Sequence, residues 1–338
     1  MQSMIRHISL IILVISIFSC QKKPLNIDIS TIETNQSFFR MEKDLFQSPD
    51  SLLDKSAWLE EKYNEFFKIF TSEMIRIGTP SDSLYPILLK KFRTDTMITE
   101  VAQKVDSVFK DFTPIQNKIT DAFKRYKYHF PNKTVPNIYT CISGFNQNIV
   151  ISTDILAVSL DKYLGKAGKK FYSGLMTPLY KQKNMIPEKV PADAMLGWAY
   201  TEFAYNDSVD NLLSQMIYHG KIMYFIDAML PNTPDTLKMG YTAQQLQFCK
   251  NSEPDFWTYF IEQKLLYKTE ATIKRRYIKN SPYTSDFTSK SPGRTGVWIG
   301  WQIVRQYMKN NPQITVKELM NNHNYQKILN QSGYSPQY

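Results

Sequence analysis

Eleven consecutive uncharged residues, Ile8 to Phe18, close on Ser19-Cys20, and this run restricts the chain more than any other because it sets the compartment in which the rest folds. Upstream, Met1 to His7 carries a single strong positive charge at Arg6. Eleven residues suit the core of a signal peptide and fall short of the roughly 20 that a bilayer-spanning helix requires. Ser19 followed by Cys20 has the form of a bacterial lipobox, with Phe18 bulkier than the usual pattern. On this reading residues 1–19 are a signal peptide and Cys20 is the site of lipid attachment. Its thiol is diacylated, and two or three acyl chains on one cysteine anchor a protein stably where a single chain does not. The competing reading is an ordinary secretory signal followed by a chance cysteine.

No second long apolar run follows, so the remainder is expected to be a soluble domain, residues 37–338, behind a short anchor and tether, residues 20–36. The whole chain's 20 Phe and 21 Tyr against only 12 Gly favour a packed, helix-rich globule over a disordered or repeat-built chain. The formal charge of +10 is spread along the sequence, which suits solubility and attraction to an anionic partner. An exported chain has no nucleic acid to meet. Beyond Cys20 there are two cysteines, Cys141 and Cys249, and either a pair or two buried thiols fits them.

Taken in order, residues 37–46 read as a strand or extended piece leading to a turn at Ser48-Pro49-Asp50. Leu52, Leu53, Trp58, Leu59, Tyr63, Phe66, Phe67, Phe70 and Met74 then recur at helical spacing, a stripe that reads as core. Residues 84–93, 96–111 and 113–128 continue as amphipathic helices, with Pro114 at the last boundary. The region 133–165 is β-rich: residues 135–143 and 149–154 predict a hairpin around Gly144 to Asn148. Residues 161–191 form a basic loop in which Phe171, Tyr172 and Tyr180 lie among lysines, either a solvated loop with packed aromatics or a lipid-docking surface. From residue 190 to 332 the chain is helical again, over 193–205, 209–230, 254–267 and 295–308. Thr242 to Gln245 and Thr315 to Glu318 have capping-box form. Gly296 and Gly300 share one helix face, which predicts a close approach by another element.

Motifs of catalysis are missing. His129, His219 and His323 have no partner at the spacing that places two metal ligands on one helix face, and no His-Glu-x-x-His or Cys-x-x-Cys occurs. Phosphate-binding glycine loops and Gly-x-Ser-x-Gly are absent too. Asp193, Glu202, Asp207 and Asp210 could form an acid–base pair, but read more simply as a solvated face. The expectation is therefore no catalytic residue, no metal and no cofactor.

Three stretches carry a resemblance: Tyr139 to Asn146 (YTCISGFN), Met216 to Phe225 (MIYHGKIMYF) and Ser291 to Arg305 (SPGRTGVWIGWQIVR). With Leu156 to Leu164 and Tyr241 to Leu246 in matching order, they resemble the gliding-motility lipoprotein family GldB of Bacteroidetes. The likeness runs from about Phe39 to Ser332. It puts forward His219, Gly220, Lys221, Gly293, Arg294 and Trp298 as cleft or family-motif residues. His219 departs from the family, where a glutamate more commonly precedes the Gly-Lys pair. The family in turn resembles zincin-type peptidases, in which one helix carries His-Glu-x-x-His and the next supplies a glutamate. Asp193 to Phe203 stands where the first helix would be and has no histidine, so the resemblance implies a degenerate zincin-like scaffold of α+β class, mostly helical, with a small β-hairpin or sheet.

The same resemblance implies a non-catalytic outer-membrane lipoprotein that serves gliding motility and type IX secretion through protein contacts. In such lipoproteins acidic residues after the cysteine accompany display at the cell surface. Here Lys22 and Lys23 follow instead, which favours a periplasm-facing position. Two alternatives come from other classes. One is a divergent hydrolase using His219 beside an acidic partner in an open cleft. The other is a periplasmic peptide-binding or chaperone-like module without a motility role.

Overall fold

Four short strands from distant parts of the sequence make one sheet: β1 (Phe38–Arg40), β2 (Asn137–Cys141), β3 (Ile149–Ser152) and β4 (Ile155–Ser159). The structure, a computed structural model, describes residues 25–47 and 52–337, so the signal peptide, Cys20 and the turn at 48–50 lie outside the described residues. The strand order is β1-β2-β4-β3, with β1 and β4 both parallel to β2 and β3 antiparallel to β4. Every residue of β4 is buried. Leu156 and Val158 face the main core while Ile155 and Ala157 face a smaller cluster, the continuous apolar pattern of a strand covered on both sides.

This pairing corrects the expected hairpin. Residues 144–148 lead out of the sheet, and β3 folds back on β4 instead, closing at Thr153-Asp154 with Ser152 opposite Ile155 and Asp154 at φ 56°. A two-residue turn aligns neighbouring strands at less entropic cost than a five-residue one. β2 already has parallel partners on both edges, so it has no free side for β3.

The first third is helical, as the periodicity indicates. β1 runs for three residues and passes directly into α1 (Met41–Gln47), where Met41 and Leu45 are buried one turn apart. Then come α2 (Leu52–Ile69), α3 (Tyr85–Thr94), α4 (Thr96–Val108) and α5 (Thr113–His129). Asn64, at φ 42° and ψ −118°, interrupts α2 with a kink. Leu59, Tyr63, Phe66, Phe67, Phe70 and Met74 all point into the smaller core beneath the sheet, whereas Trp58 stays exposed. Asp95 caps α4 by accepting the Ile98 N–H at 3.0 Å. Residues 25–36 lie along the body rather than standing off it: Arg125 donates to the Leu25 carbonyl, and Gln36 to that of Pro136 at 2.8 Å.

Beyond the sheet, residues 161–191 carry α6 (Lys169–Gly174) and α7 (Leu179–Gln182). Phe171 and Tyr172 are buried, and the Tyr172 hydroxyl donates to the Asp161 carbonyl and accepts the Leu164 N–H. Leu175, Met176 and Leu179 are exposed at the tip. The rest is α8 (Val190–Glu202), α9 (Leu212–Met229), α10 (Asp235–Met239), α11 (Ala243–Asn251), α12 (Glu253–Glu262), α13 (Ala271–Ile278), α14 (Thr295–Asn310), α15 (Val316–Asn321) and α16 (Tyr325–Ser332). With 59% helix and a four-stranded mixed sheet, the class is α+β and mostly helical. Cys141 and Cys249 are free thiols buried in different clusters.

Asp161, just after β4, is fully buried and accepts the Phe145 N–H at 2.6 Å. It thereby holds the loop in which Gly144 and Phe145 both take left-handed φ, 67° and 66°. Burial outweighs the N–H donors and Lys162, and pushes this carboxyl up from 3.8 to about 6. The folded state then binds the proton more tightly than the unfolded state. The group's stabilising effect is complete below pH 3.8 and is lost as the pH rises through about 6. Asp161→Asn is expected to remove this slope, gaining on wild type between about pH 4 and pH 7 by up to ~3 kcal/mol. Urea midpoints across that range measure it, and a wild-type-minus-variant difference that does not change with pH refutes the assignment.

Candidate functional site

The motif residues converge on α9. This helix is apolar around its whole circumference, with 16 of its 18 residues buried, which is the pattern of a central helix rather than an amphipathic surface one. It begins at Leu212, three residues later than periodicity suggests, because Asn211 forms a capping box: its side chain accepts the Ser214 N–H at 2.9 Å while Ser214 Oγ accepts the Asn211 N–H at 3.0 Å. It stops at Leu230, next to Pro231.

α14 crosses α9 where Gly300 meets Gly220. A Cβ on Gly220 would overlap the Gly300 carbonyl, and one on Gly300 would overlap that of Met216. Gly296 serves a different neighbour, since a Cβ there would come 3.0 Å from Tyr277 Cβ on α13. The two glycines of α14 thus admit two helices to its backbone.

His219 Nδ1 lies 2.8 Å from the Tyr200 hydroxyl of α8, and its ring meets those of Tyr200 and Tyr218 edge-on. Burial, followed by the nearby cations Arg294 and Lys279, pushes its imidazole down to about 3. The surroundings are therefore tyrosines and cations, not the acidic partner that the hydrolase reading requires. Lys221, two residues further on and on another face of the helix, is buried and donates to the Asn322 carbonyl at 2.7 Å, tying α9 to the α15–α16 turn; burial pushes its amine down to about 8.

The loop before α14 is clasped from three sides. The Tyr241 hydroxyl donates to the Gly293 carbonyl at 2.6 Å, Arg294 donates to the Met239 carbonyl at 3.1 Å, and Thr284 Oγ1 donates to that of Pro292 at 2.8 Å. Gly293 packs on the backbone of Ser281, where a Cβ would come within 2.8 Å of the amide nitrogen. Arg294 itself sits at φ 65° as the N-cap of α14. Trp298 is buried and meets Trp301 edge-to-face at 5.8 Å. All six motif residues are thus brought into one region around α9 and α14.

The residues that sequence reasoning missed complete it. Asp227, 4% exposed, accepts from Lys238 at 2.7 Å, from Trp301 Nε1 at 2.8 Å, and from Arg305 at 2.7 and 2.9 Å. Arg305 also grips Asp235 through two 2.9 Å bonds and stacks 3.7 Å over the Trp301 ring. The available signal was a single carboxylate in the apolar run Ile222 to Met229. Of the four carboxylates read as a solvated face, three are engaged by other residues. Asp193 is taken by Lys189 at 2.9 Å, Glu202 by Tyr126 at 2.6 Å, and Asp210 by Lys274.

Chemically, this region holds helices together. Among the described residues no group of three or more His, Cys, Asp or Glu side chains is placed to hold a metal ion. No described helix is long and apolar enough to cross a membrane.

The sequence profile of the family described as gliding motility protein GldB matches residues 22–336. No curated protein and no solved structure matches the chain.

Proposed function

This chain belongs to the gliding motility protein GldB family, and from that premise we propose that it acts as a non-catalytic envelope lipoprotein that serves the gliding and type IX secretion machinery through protein contacts. In this reading Cys20 carries the acyl anchor in the outer membrane, and the domain faces the periplasm. The α8–α9 pair is a zincin-like arrangement whose ligands are lost. What supports the loss of ligands is that Tyr200 meets His219 across the two helices at 2.8 Å and that α8 itself carries no histidine.

The observation that carries the non-catalytic reading is the environment of His219. An imidazole pushed down to about 3 is neutral at physiological pH and holds a proton too weakly to act as an efficient general base. Tyrosines and cations around it supply neither a metal's second ligand nor a carboxylate to orient the ring. Purified protein is expected to contain no stoichiometric zinc and to cleave no peptide. In a gliding host lacking its own copy, a His219→Gln allele is expected to restore spreading and secretion as wild type does, while Cys20→Ser does not. One zinc per chain that disappears in His219→Gln, or a well-expressed His219→Gln protein that fails to restore spreading, overturns the reading.

A further inference from the structure

We infer that the cavity at the carboxyl ends of β1 and β2 is a binding site for a small organic anion, a phosphate or carboxylate head on an apolar body. The cavity is about 600 Å³, within the range of small-molecule sites. Arg40, the last residue of β1, Glu42 just beyond it, and Ile142, the residue after β2, line its floor. Those two strands are parallel, and the open carboxyl edge of parallel strands is where α/β sheets receive ligands. α1, α3 and α4 form the walls.

The charge of the lining selects the ligand's sign. Arg40, Lys43, Lys90 and Arg93 oppose Glu42 and Asp106, four cations to two carboxylates, leaving a surplus of two positive charges. Glu42 is committed elsewhere. It is 4% exposed, one oxygen binds Arg40 Nε and the other accepts Thr140 Oγ1 at 2.6 Å. Its effect is to aim Arg40, whose guanidinium also lies 4.7 Å from the centre of the Phe112 ring. With Nε held this way, the two terminal nitrogens of Arg40 share one carbonyl, Phe109 O, each at 3.4 Å. That is the outer limit of hydrogen bonding. Arg40 thus contributes a positive charge held in place at the cavity, and Lys43 and Lys90 bring the ammonium donors that a phosphate or carboxylate head would meet. Phe46, Ala102 and Ile142 give the same cavity an apolar wall, so an inorganic ion alone would leave part of the site unused.

Isothermal titration of the purified full chain with 1-naphthyl phosphate tests this, with inorganic phosphate and 1-naphthylmethylammonium as the other arms. Saturable 1:1 binding of the naphthyl phosphate is expected, at least about tenfold tighter than inorganic phosphate, with no binding of the cation. Lys43→Gln/Lys90→Gln, which removes two lining charges without touching the Arg40–Glu42 pair, is expected to weaken binding by about tenfold or more. Ala102→Phe fills the cavity without altering its charge and is expected to abolish binding. Circular dichroism and urea midpoints confirm that both variants fold. No saturable binding at millimolar concentration, binding unchanged in both variants, or equal binding of the cationic probe overturns the inference. Equal affinity for inorganic and naphthyl phosphate would assign the site to the free ion and overturn the organic part.

Discussion

Replacing Gly300 with alanine is expected to cost more than about 3 kcal/mol, enough to leave a domain of ordinary stability marginal or unfolded. The added methyl overlaps the carbonyl of Met216, a backbone group in the middle of α9 that cannot rotate aside as a side chain would. Relief requires the two helices to separate, and next to the crossing the buried Trp301 of α14 is bonded to Asp227 of α9 at 2.8 Å. Overpacking ordinarily costs ~1–3 kcal/mol because neighbouring side chains adjust; here there is only backbone to move. Gly174→Ala is the control. Nothing lies within 4 Å of its added Cβ, so its effect should stay within about 1 kcal/mol and is expected to be stabilising. Urea denaturation followed by circular dichroism measures both. A Gly300→Ala midpoint close to wild type means that the α9–α14 crossing is looser than its geometry indicates.

Asp227→Ala is expected to destabilise by about 3–5 kcal/mol, because it removes the acceptor that Lys238, Trp301 Nε1 and Arg305 share and leaves buried charge uncompensated. Lys238 is 3% exposed and has no route to water without local opening. Arg305 keeps Asp235, so the larger share of the loss falls on Lys238. Asp227→Asn separates charge from shape, since it keeps one acceptor oxygen but cancels the negative charge. Its cost is expected to lie between wild type and alanine. A double-mutant cycle pairing Asp227→Ala with Lys238→Met isolates their coupling, expected at about 1–3 kcal/mol. A coupling near zero would show that the buried pair contributes position rather than energy. The network also explains why Arg305 closes the motif that starts at Ser291: one clasped loop, one glycine crossing and one ion cluster follow one another along α14.

The helices were legible where the deciding interactions lie within a few residues. The stripe from Leu59 to Met74, the start of α5 with Pro114 in its first turn, and the capping boxes at Thr242 and Thr315 all depend on side chains and amides one turn apart, and each stands where the local pattern placed it, whereas α4 ends at Val108, before the expected 111. The glycine pair of α14 was legible for a similar reason, since a missing Cβ is a local property that announces close packing, though not which helix arrives. The start of α9 shifted to Leu212 because the Asn211 cap competes with the apolar period and wins.

What the sequence by itself determined, then, is most of the long helices and the mixed, mostly helical class, while the short helices over 41–47, 169–174, 179–182 and 271–278 were not legible in it. Only the tertiary structure decided the rest. β1 pairs in parallel with a strand roughly a hundred positions away, and β3 turns toward β4 instead of β2, because strand pairing compares edges that meet only after collapse. The cavity beside Arg40 is assembled from four separate segments, none of which carries a ligand signature alone. His219 looked like a candidate base until the fold set it between tyrosines and cations, and Asp227 looked like one acid in an apolar helix until the fold brought Lys238 and Arg305 to it. The physical reason is common to all of these. Backbone propensity and capping act within a turn of the chain, whereas burial, ion pairing and proton affinity are set by which distant groups share the same few ångströms.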